Sequence, residues 1–123
     1  MESLKSLFEM PFSARQRRLA ASRPPLSKDD FIAKIASDDR GRGAAALLWD
    51  KLNAAKVREE LSPYPDDDLL RVYGLADEDL DEDIILAIIR DVGVPVPDRE
   101  MLASFGQVST PSDIVRLIEK CGE

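Results

Sequence analysis

Residues 80–92, closed by Gly93, constrain this chain's fold more than any other segment, because Ile84, Ile85, Leu86, Ile88 and Ile89 make the stretch apolar on most sides. A helix that is apolar nearly all round needs neighbours on every side, which places it at the centre of a bundle. Carboxylates ahead of the segment and a glycine behind it are helix boundary signals: the first favour exposed N–H groups, the second takes the left-handed cap. Isoleucine also favours strands, so a buried strand is the alternative. A chain of 123 residues has room for one such core.

The other elements follow from composition and punctuation. Residues 44–61 are rich in helix formers; Leu48, Leu52, Ala55 and Glu59 trace one side, and Trp49, Val57 and Leu61 extend the apolar surface. This is expected to be the longest helix, ended by Ser62, Pro63 and Pro65. Ser27, with Asp30 three residues on, forms a capping-box variant ahead of Phe31, Ile32 and Ile35, giving a short helix that ends near Ser37. Residues 38–43, charged and holding Gly41 and Gly43, read as a loop or hinge. Asp66, Asp67 and Asp68 open a helical turn over residues 69–73 that Gly74 closes. Asp98 caps a further short helix, and Thr110, Pro111 and Asp113 begin a last one that buries Ile114, Leu117 and Ile118 before Gly122. Residues 1–26 read as an arm that closes on Pro24 and Pro25, with Leu4, Leu7 and Phe8 at helical spacing. It is expected to pack on its own body, the alternatives being a partner or an anionic membrane surface. The fold class is therefore all-α, a small acidic helical bundle with an N-terminal helical or extended arm. Residues 1–43 form the arm and a short helix, and residues 44–123 the bundle domain.

Charge narrows the partners. The net charge of −7 is unevenly spread, with 12 Lys+Arg against 9 Asp+Glu in residues 1–60 and 5 against 15 in residues 61–123. An acidic body repels phosphate, which sets nucleic acid aside and favours a basic protein surface. No apolar run reaches the roughly 18 residues of a membrane span, and the N-terminal residues do not follow the order of a signal peptide. Cys121 is the single cysteine and histidine is absent, so neither an internal disulfide nor the usual zinc site can form. A cytoplasmic location is the expectation.

Candidate chemistry reduces largely to structure. Asp77, Asp79, Asp81 and Asp83 alternate like the first ligands of a calcium-binding EF-hand loop, but the sixth and twelfth positions are Glu82 and Ile88 where Gly and a bidentate Glu are needed. Carboxylates at a helix N-terminus explain the run without a metal. Cys121 has no imidazole to act as its base. Arg40, Gly41, Arg42 and Gly43 offer a phosphate cradle without the Lys and Ser/Thr of a P-loop and read as a flexible basic loop. Trp49 is expected in the core, and Tyr73 is an amphipathic aromatic of the kind found at interfaces. Arg15, Arg17 and Arg18 are set to contact the chain's own acidic half or solvent, with RNA or an acidic protein as alternatives.

Three short stretches resemble acyl carrier proteins. Val72, Leu75 and Asp79-Leu80-Asp81 look like the run into that family's second helix, where a D-S-L motif sits. Residues 93–98, G-V-P-V-P-D, are similar to the G-I-x-I-P-D stretch after it, and residues 110–118, T-P-S-D-I-V-R-L-I, look like the opening of the last helix. The resemblance covers residues 44–121 and implies a four-helix carrier-like core that docks enzymes through its second helix. Asp79 stands where the family has the serine that carries phosphopantetheine, and Ser62 and Ser104 lie far away in sequence. A carboxylate cannot accept that arm, so no cofactor is expected. The resulting expectation is a non-catalytic interaction module, with Asp77, Glu78, Asp79, Asp81 and Glu82 meeting a basic partner. The alternatives are a small acidic antagonist of a basic protein, of the immunity or antitoxin kind, and an enzyme using carboxylates with a divalent metal.

Overall fold

The computed structural model describes residues 2–76, 84–100 and 108–121, with side chains from residue 11 onward. Six helices are described: α1 Glu2–Ser22, α2 Lys28–Ile35, α3 Asp39–Ala55, α4 Leu69–Tyr73, α5 Leu86–Val92 and α6 Pro111–Cys121. The chain is all-α, and no strand occurs among the described residues.

Helix α3 is the scaffold. It packs against α6, α2 and α5, and α2 also meets α6. Its inward face reads Gly41, Ala44, Ala45, Leu48 and Leu52, the three- and four-residue steps of a helical stripe. Helix α6 is strongly two-sided and buries Pro111, Ile114, Val115, Leu117, Ile118 and Cys121. The isoleucine segment is helical and not a strand. Ile84, Ile85, Ile88 and Ile89 are buried while Arg90 and Asp91 are exposed, a helical period, and Gly93 caps the end with φ +81°. Phe31 of α2 is fully buried and stacks at a tilt on Trp49, 5.2 Å between ring centroids, so Trp49 takes the core-side position expected of it.

Local capping explains most helix ends. The Ser27 side chain accepts from the Asp30 N–H at 3.1 Å, and that of Asp68 from the Arg71 N–H at 2.9 Å. Gly74, with φ +73°, closes α4 at Tyr73. Thr110 and Asp113 form a reciprocal capping box: the Thr110 N–H donates to Asp113 Oδ2 at 3.1 Å, and the Asp113 N–H to Thr110 Oγ1 at 3.3 Å. Partial burial pushes the Asp113 carboxyl up, but hydrogen bonds from Ser109 and Thr110 outweigh it and hold the group below its ordinary value.

Three expectations are corrected. Residues 38–43 are not a loop: α3 starts at Asp39, because the Asp38 side chain caps the Gly41 N–H at 2.7 Å. Nor does that helix reach Leu61. It ends at Ala55, since the Val57 and Arg58 N–H groups donate to the Gln16 side-chain oxygen at 3.0 and 3.1 Å instead of continuing the helical ladder. The longest helix is α1, 21 residues against 17 for α3, with Pro11 inside it. The arm is helical, not extended, and lies on α4 of its own body. Of the short helix expected after Asp98, Arg99 and Glu100 are helical; the residues expected to complete it, the start expected for the isoleucine helix at Leu80 or Asp81, and Gly122 lie outside the described residues.

Candidate functional site

The acidic residues singled out from the sequence, Asp77, Glu78, Asp79, Asp81 and Glu82, lie outside the described residues. The described polar groups gather instead under α1 and at the start of α3.

Under α1 the hub is Asp67, 5% exposed. Its Oδ1 accepts from Arg23 Nη1 at 2.6 Å; its Oδ2 accepts from Arg23 Nη2 at 3.0 Å, the Tyr64 N–H at 3.0 Å and the Tyr73 hydroxyl at 2.9 Å. A fork-on-carboxylate pair of this kind is directional as well as attractive. The Arg23 guanidinium also lies 3.9 Å over the Tyr64 ring and donates to the Ser62 carbonyl at 2.8 Å, while its Nε has no hydrogen-bond partner among the described residues. Burial and the adjacent Asp67 carboxylate push the Tyr73 phenol far above its ordinary value, so it remains a proton donor throughout the neutral range. With both carboxylate oxygens committed to four donors, Asp67 acts as a structural anchor rather than as a base.

Gln16, on α1 and 7 residues before Arg23, which follows the helix end, is fully buried. Its amide nitrogen donates to the Val72 carbonyl at 2.7 Å, and its oxygen takes the two N–H groups that end α3. Arg15 donates to the Arg71 carbonyl. This places Arg15 on the chain's own body. A cleft of about 190 Å³ beside this centre is lined by Ala20, Arg23, Pro24, Pro25, Glu60 and Ser62. Hydrogen bonding from its own backbone, then from Arg58, holds the Glu60 carboxyl at that rim below its ordinary value.

The second centre uses Glu119 of α6. Its Oε2 accepts from the Ser37 N–H at 2.7 Å, the Ser37 hydroxyl at 2.8 Å and the Asp38 N–H at 3.2 Å. A helix N-terminus attracts anions, and here the chain's own carboxylate occupies it. The carboxylate lies against Gly41 of the stretch that the sequence offered as a phosphate cradle, and its donors come from Ser37 and Asp38 just before it. Gly41 is what admits it, since a Cβ there would stand 2.0 Å from Glu119 Oε2. Cys121, two residues beyond Glu119, is buried, and desolvation raises its thiol pKa.

Comparison with protein-family models, curated proteins and solved structures finds no match. Among the described residues no three Cys, Asp or Glu side chains converge in a metal-holding group, and no helix is long and apolar enough to cross a membrane. Sequence reasoning named Asp67 and Tyr73 for other roles and missed Gln16, Arg23 and Glu119. Their partners lie 39 to 82 residues away, and only the triple Asp66–Asp68 hinted that one carboxylate was set apart.

Proposed function

We propose that this chain is a non-catalytic interaction module of acyl-carrier-like shape, whose acidic run at Asp77, Glu78, Asp79, Asp81 and Glu82 meets a basic protein surface. The observation that carries this reading is the charge imbalance: residues 61–123 hold 15 Asp+Glu against 5 Lys+Arg. Among the described residues Asp67 and Glu119 are taken up inside the fold, and the five acidic residues ahead of Ile84 in the sequence lie outside the described residues. Support also comes from helix order, with α3, α5 and α6 around one core and a non-helical Gly-Val-Pro-Val-Pro stretch after α5, as the carrier resemblance implies. A field of this sign speeds encounter with a cationic surface, and salt weakens it.

The test is a pull-down from the native host, followed by affinity measurement across salt concentration. A basic partner whose affinity falls at least about tenfold by about 0.5 M salt, and is lost when the five residues are neutralised to Asn and Gln, supports the module. Salt-independent binding, or a covalent mass increase the size of a phosphopantetheine arm, overturns it. A single tight toxin or nuclease as the partner would favour the antagonist reading.

A further inference from the structure

We propose that the cleft lined by Ala20, Arg23, Pro24, Pro25, Glu60 and Ser62 is a docking socket for a tryptophan side chain of a partner protein, with the ring against Arg23 and the two prolines and the indole N–H donated to Glu60. None of these six residues belongs to the acidic run, so the proposal stands apart from the reading above. The cleft measures about 190 Å³, below the roughly 300–1,000 Å³ of a site for a drug-sized ligand. An apolar cavity of about 150 Å³ accepts one benzene ring. The space therefore suits one aromatic ring system, the size of an anchoring side chain.

What the walls present selects the ring. Both terminal nitrogens of Arg23 are engaged, by Asp67 and the Ser62 carbonyl; its Nε is buried, and the Tyr64 ring covers one face at 3.9 Å. The surface Arg23 has left for the cleft is its opposite face and its methylene stem, flat and weakly hydrated, which stacks well on an aromatic ring. Ala20, Pro24 and Pro25 add apolar wall, and neither proline brings a backbone donor. At the rim Glu60 is an acceptor pinned by Arg58, whose Nε donates to Oε1 at 2.8 Å and whose Nη2 lies 2.7 Å from the same oxygen. An indole meets all three demands, with a π-face for the cation, an apolar body for the prolines and one N–H for the carboxylate. The walls are also set in advance. The Tyr64 hydroxyl donates to the Pro24 carbonyl, the Arg23 fork sits on Asp67, and the Arg58 N–H donates to Gln16. Little ordering entropy then opposes binding, and buried aromatic anchors of this kind dominate the energetics of interfaces.

Titrating N-acetyltryptophanamide, a tryptophan residue without its chain, into the full protein and following NMR shifts tests the socket. The Ala20 methyl is expected to move upfield under the ring current, with the Arg23 and Ser62 amides shifting alongside, at a Kd of about 1 mM. N-acetylphenylalaninamide, which has the ring but no N–H donor on it, should bind about fivefold more weakly. Ala20→Leu fills the cleft and should abolish the shifts, while unaltered Leu48 and Ile114 methyl signals show that the variant is folded. Glu60→Gln, on an exposed side chain, should weaken the tryptophan probe about threefold and leave the phenylalanine probe unchanged. Absence of shifts at these residues, equal affinity for the two probes, or binding that survives Ala20→Leu would overturn the proposal. So would binding of free indole without binding of N-acetyltryptophanamide, since the cleft would then hold a small molecule.

Discussion

Replacing Gly41 by alanine should change sign with the residue at position 119. Gly41 sits in the first turn of α3 with its N–H capped by Asp38, and among the described residues only Gly74 and Gly93 have positive φ, so alanine fits the backbone there. In a helix that exchange ordinarily stabilises by about 0.5–1 kcal/mol. Here the new methyl would stand 2.0 Å from Glu119 Oε2 and 2.6 Å from its Cδ, so the carboxylate must swing away. It would abandon three hydrogen bonds, from the Ser37 N–H, the Ser37 hydroxyl and the Asp38 N–H. Ser37 and Asp38 are exposed and water replaces part of what they lose, so the set is worth about 2–3 kcal/mol. The net expectation for Gly41→Ala is a loss of about 1–2.5 kcal/mol, a Tm drop of about 4–10 °C at this chain length. In a Glu119→Ala background the three atoms nearest the new methyl are gone, and the same substitution should stabilise by about 0.5–1 kcal/mol. Urea denaturation of the four proteins in the double-mutant cycle measures both numbers. Stabilisation by Gly41→Ala with Glu119 present, or equal destabilisation in both backgrounds, would refute the reasoning.

Tyr73→Phe removes the phenol that donates to buried Asp67 and should cost about 1.5–2 kcal/mol by urea denaturation. Because the folded Tyr73 pKa is raised, its contribution is complete below the ordinary value of 10.0 and is lost as pH rises beyond it. Stability should therefore decline above pH 10.0 in the native chain and less steeply in Tyr73→Phe. Asp113 has the opposite sign: its folded pKa lies below the ordinary 3.8, so its contribution is complete above 3.8 and disappears as pH falls through the folded value. Asp113→Asn should flatten that part of the acid denaturation profile and, by weakening the cap, cost about 1 kcal/mol near neutrality.

Much of the fold is legible locally. Ser27, Asp68 and the Thr110–Asp113 box stop and start helices through side chains within three residues of the groups they satisfy, and Gly74 and Gly93 end helices because they tolerate positive φ. The apolar spacing of Ile84 to Ile89 and Ile114 to Ile118 predicts which faces are buried. The site is legible in charge alone: the imbalance between the two halves can be counted, but a side chain that pairs with a group 44 residues away, as Arg23 does with Asp67, leaves no periodic trace.

The sequence by itself determined that the chain is all-α, where α2, α4 and α6 are capped, and which stripes turn inward, because propensity, capping and periodicity act over a turn or two of backbone. Tertiary structure decided the rest. The composition of residues 56–61 would carry α3 onward, yet Gln16 offers the Val57 and Arg58 N–H groups an acceptor from across the fold and the helix stops. Residues 38–43 look like a glycine hinge, yet Asp38 caps them into α3 and a carboxylate from α6 fills the space that Gly41 leaves. Backbone donors left free at a helix end must be satisfied, and a partner brought close by folding outcompetes the local preference of the chain.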